Sequence, residues 1–289
     1  MRLPLLTTIG LISSLTLVLH LATALHAPAA TRSRGTKAPT TRGAPEAQPQ
    51  ARAILLKELK SGRLLYAAGT THRLAPASLT KIMSALVILE QGHLQEIVTI
   101  SQEAAAAPRT RLDLWPGQRF YLVDLLQAML ITSANDACRA AAQHVGGSEQ
   151  QFVALMNQKA TTLQLQDTHF TNACGFDGPQ HYSTAEDLAR LSEVALQDPR
   201  FTHIVKQEKS TMKEIGKGRV YELHSTNHLL GESPGVEGIK TGFTRHAGPC
   251  LIVKVSQNDT ELLLVLLHAK QRWATALQLL QHGFETLAR

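Results

Sequence analysis

From residue 52 onward the apolar positions of this chain change period twice, from strand-like to helical and back. The stretch ARAILLKELKSGRLLYAAG at 51–69 holds two apolar runs around Lys60-Ser61-Gly62-Arg63, which predicts a β-hairpin. In LTKIMSALVILEQG the apolar residues fall at 79, 82, 83, 86, 87 and 89, a helical spacing, with Gly92 as a stop. EIVTIS at 96–101 predicts a short strand. Helical stretches follow at 120–135, 136–147, 148–165 and 183–197, with Ser148 and Ser183 in N-cap positions. After residue 217 the runs GRVYEL, GVEGIKTGFT, CLIVKVSQ and ELLLVLLHA predict strands, and Asn258-Asp259 the turn between the last two. AKQRWATALQLLQHGF predicts a closing helix. Strands at both ends with helices between predict an α+β fold: one antiparallel sheet assembled from both ends of the chain, flanked by helices, with a helical lobe inserted.

The first fifty residues follow another rule. Residues 5–25 are apolar and uncharged behind Met1-Arg2, which predicts a secretory signal over 1–27 or a retained signal anchor. Residues 28–51, rich in Pro, Ala, Thr and Gly, predict a flexible linker, and 52–289 the folded domain. The protein is therefore expected to be exported, to the periplasm or the outer face of the cytoplasmic membrane. Membrane association would come only through an uncleaved N-terminus.

Composition adds little to this division. A 44% apolar content over 289 residues is enough for a packed core. The net charge of +6 owes much to Arg32, Arg34, Lys37, Arg42 and Arg52, set against Glu46 alone. It suits contact with an anionic envelope surface. Nucleic acid is not an expected partner, because no basic cluster is interleaved with aromatics. Cys138, Cys174 and Cys250 allow one disulfide in an oxidising compartment, although scattered cysteines are more often small buried apolar residues. His224 and His228 lie in a stretch that reads as loop and lacks the H-E-x-x-H glutamate, so no metal site is expected. Trp115-Pro116-Gly117 predicts a packed turn.

Three short motifs carry candidate chemistry. Ser78 and Lys81 in PASLTKIM are three apart at the start of the first helix, so both side chains lie on one face. That spacing suits a nucleophile and its base, provided the lysine is neutral, which burial or a second cation would favour. Ser133 and Asn135 in ITSANDAC can share a site only if they stand in a turn, with one helix ending near Ile131 and the next starting around Asp136. Lys240-Thr241-Gly242 lies in a strand, where Gly242 would admit the close approach of a ligand or of backbone. Singly, each motif is equally well a helix cap, a solvated lysine or a strand end.

Taken in order, S-x-x-K, S-x-N and K-T-G resemble the low-molecular-mass penicillin-binding proteins, the serine D-alanyl-D-alanine carboxypeptidases. The resemblance covers roughly 52–285 and includes LAPASLTKIMSALV, LLQAMLITSANDAC, THFTNACGF, YSTAEDLARL, TNHLL and GIKTGFTRHAGPCL. It implies a DD-peptidase/β-lactamase-like fold. It also implies removal of the terminal D-Ala from peptidoglycan stem peptides ending in D-Ala-D-Ala, through an acyl-enzyme, with β-lactams as covalent inhibitors. Ser78 would be the nucleophile, Lys81 its base, and Ser133 the proton relay to the leaving amine. Asn135 would orient the substrate amide. Lys240, aided by Arg245, would bind the terminal carboxylate, with Thr241 adding a hydroxyl and Gly242 room. The amides of Ser78 and Phe243 would form the oxyanion hole. No metal or organic cofactor is implied. The chain carries no E-x-x-L-N after the second motif, which argues against efficient β-lactam hydrolysis. The longer carboxypeptidases carry a further β-rich domain and an amphipathic anchor, and neither is expected after the last helix here. That shortness resembles the family's D-alanyl endopeptidases of peptidoglycan cross-links. Such an endopeptidase and a non-catalytic penicillin-binding scaffold are the alternatives.

Overall fold

A computed structural model describes residues 50–108 and 110–288. The expected leader at 1–27, and all of the expected linker at 28–51 except its last two residues, lie outside them. The order of elements is β1 (Ala53–Glu58), β2 (Leu64–Ala68), a 3-10 turn (Ala77–Thr80), α1 (Lys81–Gln91), β3 (Ile97–Thr99), α2 (Gln102–Ala105), β4 (Arg119–Tyr121), α3 (Leu122–Ile131), α4 (Asn135–Gly146) and α5 (Glu149–Thr162). Then come α6 (Ala185–Ala195), α7 (Pro199–Val205), β5 (Lys209–Lys213), β6 (Val220–His224), β7 (Val236–Thr244), β8 (Gly248–Gln257), β9 (Thr260–Leu267) and α8 (Arg272–Leu287).

Strands from both ends of the described chain build one antiparallel sheet, in the order β2-β1-β9-β8-β7. Its central runs are apolar at nearly every position because both faces are covered. On β1, Ala53 and Leu55 join the core shared with the helical lobe, while Ile54 and Leu56 join the core under α8. On β9, Leu263, Val265 and Leu267 take the first face, and Leu262, Leu264 and Leu266 the second. That is the two-residue period of a strand, seen in two cores at once. Helix α8 closes the second face with Ala276, Leu279 and Leu280.

Helix α1 runs through the helical lobe. It is buried from Lys81 to Leu89, polar residues included. A helix that is apolar all round has no solvent face, so whatever polar group it carries must find a partner inside.

Several local expectations change. Arg119–Tyr121 is a strand paired with β3, and helix α3 begins only at Leu122. GRVYEL contributes β6, which pairs with β5 in a separate ribbon and stays out of the main sheet. Ser148 caps α5, its hydroxyl accepting from the Gln151 N–H. The cap of α6 is Thr184, one residue past Ser183, whose own backbone bridges to Leu74. Trp115 is 63% exposed, with the Arg219 guanidinium over its ring, so this turn is not packed inside. Asn258 and Asp259 both take positive φ in the β8–β9 turn.

Candidate active site

Ser78 lies in the 3-10 turn that leads into α1, between the edge strand β7 and the helical lobe. Ala77 before it has φ of 50°. A left-handed alanine costs about 1–2 kcal/mol, so the surroundings must hold it there. Two glycines do so by letting backbone close in. A Cβ on Gly175 would fall 2.0 Å from the Ala77 carbonyl oxygen. One on Gly242 would fall 3.1 Å from the Ser78 nitrogen. The K-T-G glycine thus lets β7 run beside the Ser78 amide.

The Nζ of Lys81 has three neighbours. It lies 3.1 Å from Ser78 Oγ, 2.8 Å from Asn135 Oδ1 and 2.6 Å from the Cys174 carbonyl oxygen. Burial holds Lys81 well below the ordinary lysine value, and the charge of Lys240 adds to the effect. Lys240 is itself lowered to about 7, first by burial and then by Arg272. A neutral Lys81 has two N–H bonds and one lone pair. With the two bonds given to Asn135 and Cys174, the lone pair is left for the Ser78 hydroxyl.

Ser133 and Asn135 do stand at a turn: α3 ends at Ile131 and α4 begins at Asn135. Ser133 is nearly buried with φ of 64°, an unfavourable backbone for a serine. Asn135 is tied on both sides. Its Nδ2 donates to the Pro108 carbonyl and its backbone N–H to that of Thr110. Asp136 completes the frame, its buried carboxylate accepting from the N–H groups of Leu112, Leu114 and Ala137.

On β7, Thr241 shares a hydrogen bond with Thr226, Oγ1 to Oγ1 at 2.6 Å. Lys240 Nζ donates to the Thr241 carbonyl. Phe243 stands opposite Pro249 of β8. The Pro249 carbonyl accepts from the Ala269 N–H, on the side of β8 away from β7, so Phe243 and Pro249 form a non-hydrogen-bonded pair and the Phe243 N–H points away from β8. The Phe243 ring is 64% exposed.

The structure adds groups that the motifs do not name. One is Arg272, at the start of α8, the cation whose charge adds to burial in lowering Lys240. Its Nη1 donates to the carbonyls of Gly242 and Cys250. The acceptor at Cys174 is a backbone carbonyl, for which no residue type is a signal. Cys174 is also disulfide-bonded to Cys138, and Cys250 is free and buried, with its thiol pushed up to about 11 by burial. His181 supports the loop of Cys174. Burial lowers it to about 4, so it is neutral. Its Nδ1 accepts from the Thr171 N–H, which leaves Nε2 to donate to Thr80 Oγ1 at 2.8 Å. Of the paired histidines, His224 contacts Glu222 and His228 stacks on Trp273.

Comparison with known proteins places the chain in a family. The D-alanyl-D-alanine carboxypeptidase family model, Peptidase S11, matches residues 38–271. The chain is 33% identical to D-alanyl-D-alanine carboxypeptidase DacF of Bacillus subtilis over 243 residues, 81% of this chain and 62% of that protein. It therefore spans about three-fifths of that relative's length. It is 31% identical to D-alanyl-D-alanine carboxypeptidase DacB2 of Mycobacterium tuberculosis, covering 80% of this chain and 81% of that one. The structure of the Streptomyces K15 DD-transpeptidase superposes with a TM-score of 0.77 at 27% identity, over 81% of this chain and 97% of that one. Penicillin-binding protein D2 of Listeria monocytogenes in its ampicillin-bound form gives a TM-score of 0.70 at 28% identity, over 83% and 100% of the two chains. With the S-x-x-K, S-x-N and K-T-G residues gathered about Ser78 on a DD-peptidase fold, the chain belongs to the D-alanyl-D-alanine carboxypeptidase family, Peptidase S11.

Proposed function

We propose that the protein is a serine D-alanyl-D-alanine carboxypeptidase that removes the terminal D-Ala of peptidoglycan stem peptides. The observation that carries this reading is the buried, depressed Lys81 with its Nζ 3.1 Å from Ser78 Oγ. Ser78 Oγ attacks the carbonyl of the penultimate D-Ala and Lys81 takes its proton. The oxyanion is met by the amides of Ser78 and Phe243, a pair of donors of the kind that supplies several kcal/mol to such a step. Ser133 passes a proton to the departing amine, and free D-Ala leaves. Water then hydrolyses the ester. Asn135 orients the substrate amide. The terminal carboxylate is held by Lys240 with the Thr241 hydroxyl, in a field to which Arg272 adds.

A β-lactam acylates Ser78 in the same way, but its amine remains tethered to the acyl group, and the adduct persists. The substrate lies outside the cytoplasm, which agrees with the export expected from residues 5–25. The test is release of D-alanine from a diacetyl-L-lysyl-D-alanyl-D-alanine peptide, followed by chromatography. The wild type should turn over many equivalents and Ser78→Ala none. A folded wild type that releases no D-alanine, or a Ser78→Ala protein that releases it equally, would overturn the assignment.

A further inference from the structure

We propose that the Cys138–Cys174 disulfide is a positioning device for Lys81. It fixes, relative to one another, the two acceptors that aim the Lys81 lone pair at Ser78. The inference rests on the reading of Lys81 as the base for Ser78.

A neutral amine nitrogen is tetrahedral, so once its carbon and two N–H directions are fixed its lone pair has one direction left. The two N–H directions here are set by Asn135 Oδ1 at 2.8 Å and the Cys174 carbonyl at 2.6 Å. These acceptors come from different parts of the chain. Asn135 opens helix α4, whereas Cys174 lies in the irregular stretch between α5 and α6. Cys138 follows Asn135 by three residues, one helical turn, so it shares Asn135's face of the helix. Cys174 carries the other acceptor on its own backbone. The covalent bond therefore joins the two jaws of the clamp directly, with Cα atoms 6.0 Å apart.

The remaining hydrogen bonds of the Cys174 loop run within it or to other helices. Asn172 Oδ1 accepts from the N–H groups of Cys174, Gly175 and Phe176, which closes the loop on itself. Ser84 of α1 donates to the Ala173 carbonyl, and the Ala173 N–H donates to Glu149 of α5. Among the described residues, these hydrogen bonds hold the loop to α1 and α5; to the helix that carries Asn135 it is bound covalently by the disulfide, beside the weaker contact of the Arg139 guanidinium over the Phe176 ring. Both cysteines are fully buried, so the bond is sheltered from solvent reductant in the folded protein.

A disulfide closing a loop of this size would ordinarily be read as a stabiliser that constrains the unfolded chain. Positioning makes a different demand on experiment. If the jaws loosen, water reaches Lys81 and favours its charged form, so the rise of acylation with pH moves upward. The other titratable groups that couple electrostatically to Lys81 are Lys240 on β7 and His181 beside the same loop, and the substitutions alter neither.

The experiment measures the second-order rate of acylation by a fluorescent penicillin from pH 5 to 10, with melting temperatures alongside. It uses the wild type, Cys138→Ser/Cys174→Ser and Cys138→Ala/Cys174→Ala. The double variants should still label at Ser78. Their rate at neutral pH should fall about tenfold to a hundredfold, as small misplacements of reacting groups do, and the rise should shift to higher pH. A lower melting temperature with an unchanged rate and profile would overturn the inference and leave the disulfide a staple. Should the variants not fold, wild type reduced in mild denaturant and refolded with and without reoxidation replaces them. A refolded reduced form acylating at the full rate would equally overturn it. A wild type that is not acylated at all would instead overturn the reading of Ser78 and Lys81, and this inference with it.

Discussion

The amino nitrogen of Lys81 lies 3.1 Å from the hydroxyl oxygen of Ser78, although this lysine opens a helix that is buried through Leu89. The cost of burying a charge is met by removing it: the amine sits well below its ordinary value. Acylation of Ser78 should therefore rise with pH through a value far under that of a free lysine. Lys81→Ala should slow acylation by about 10²–10⁴-fold, the usual contribution of a positioned base. Stopped-flow labelling with a fluorescent penicillin across pH checks both. In the same assay Lys240→Met should move the rise to higher pH, because it removes a repelling charge from beside Lys81.

Lys240 also makes stability depend on pH. Its folded value of about 7 lies below the unfolded value of about 10.4. Between the two, the unfolded chain holds a proton that the folded chain has lost, so this group makes stability rise with pH over that window. Below the folded value both states are protonated and its contribution is flat. Urea unfolding at pH 6, 7.5 and 9 should show a smaller rise for Lys240→Gln than for the wild type. Equal slopes would contradict the burial of a depressed lysine here.

Gly175→Ala tests how the nucleophile is held. The residue has φ of 90°, and a Cβ would collide with the Ala77 carbonyl oxygen at 2.0 Å. Gly62 also has positive φ, at 72°, but a Cβ there meets nothing within 4 Å. Gly62→Ala should cost only the backbone penalty, about 1 kcal/mol. Gly175→Ala should cost more than about 2 kcal/mol and also slow acylation, because the displaced backbone is that of Ala77-Ser78. Denaturation midpoints and labelling rates separate the two effects.

Asp136→Asn probes the frame around Asn135. The buried carboxylate accepts from three backbone N–H groups, at Leu112, Leu114 and Ala137. An amide turns one acceptor into a donor that faces them. The variant should lose about 2 kcal/mol or more, read from the urea midpoint.

The parts of this fold written in side-chain periodicity were legible. The sheet built from both chain ends, the break between α3 and α4 at Ile131, and the helix opening beside S-x-x-K could be read from alternation and spacing. What was not legible depends on partners distant in the chain. The ribbon of β5 and β6 looks like sheet material, because propensity cannot say which strand another will pair with. Arg272 acts on Lys240 from a helix after two intervening strands, a neighbour that no spacing in the sequence marks. Thr184 replaces Ser183 as a cap because Ser183 is drawn into a bridge with Leu74. The Cys174 carbonyl belongs to the backbone, which the sequence does not distinguish. Its disulfide to Cys138 could not be chosen among three cysteines without the fold.

Intact-mass spectrometry after brief exposure to benzylpenicillin tests the central claim most directly. The wild type should gain the mass of one penicilloyl group, retained for minutes, while a folded Ser78→Ala protein gains none. No adduct on a folded wild type, or an equal adduct on Ser78→Ala, would contradict the assignment of Ser78 as the nucleophile.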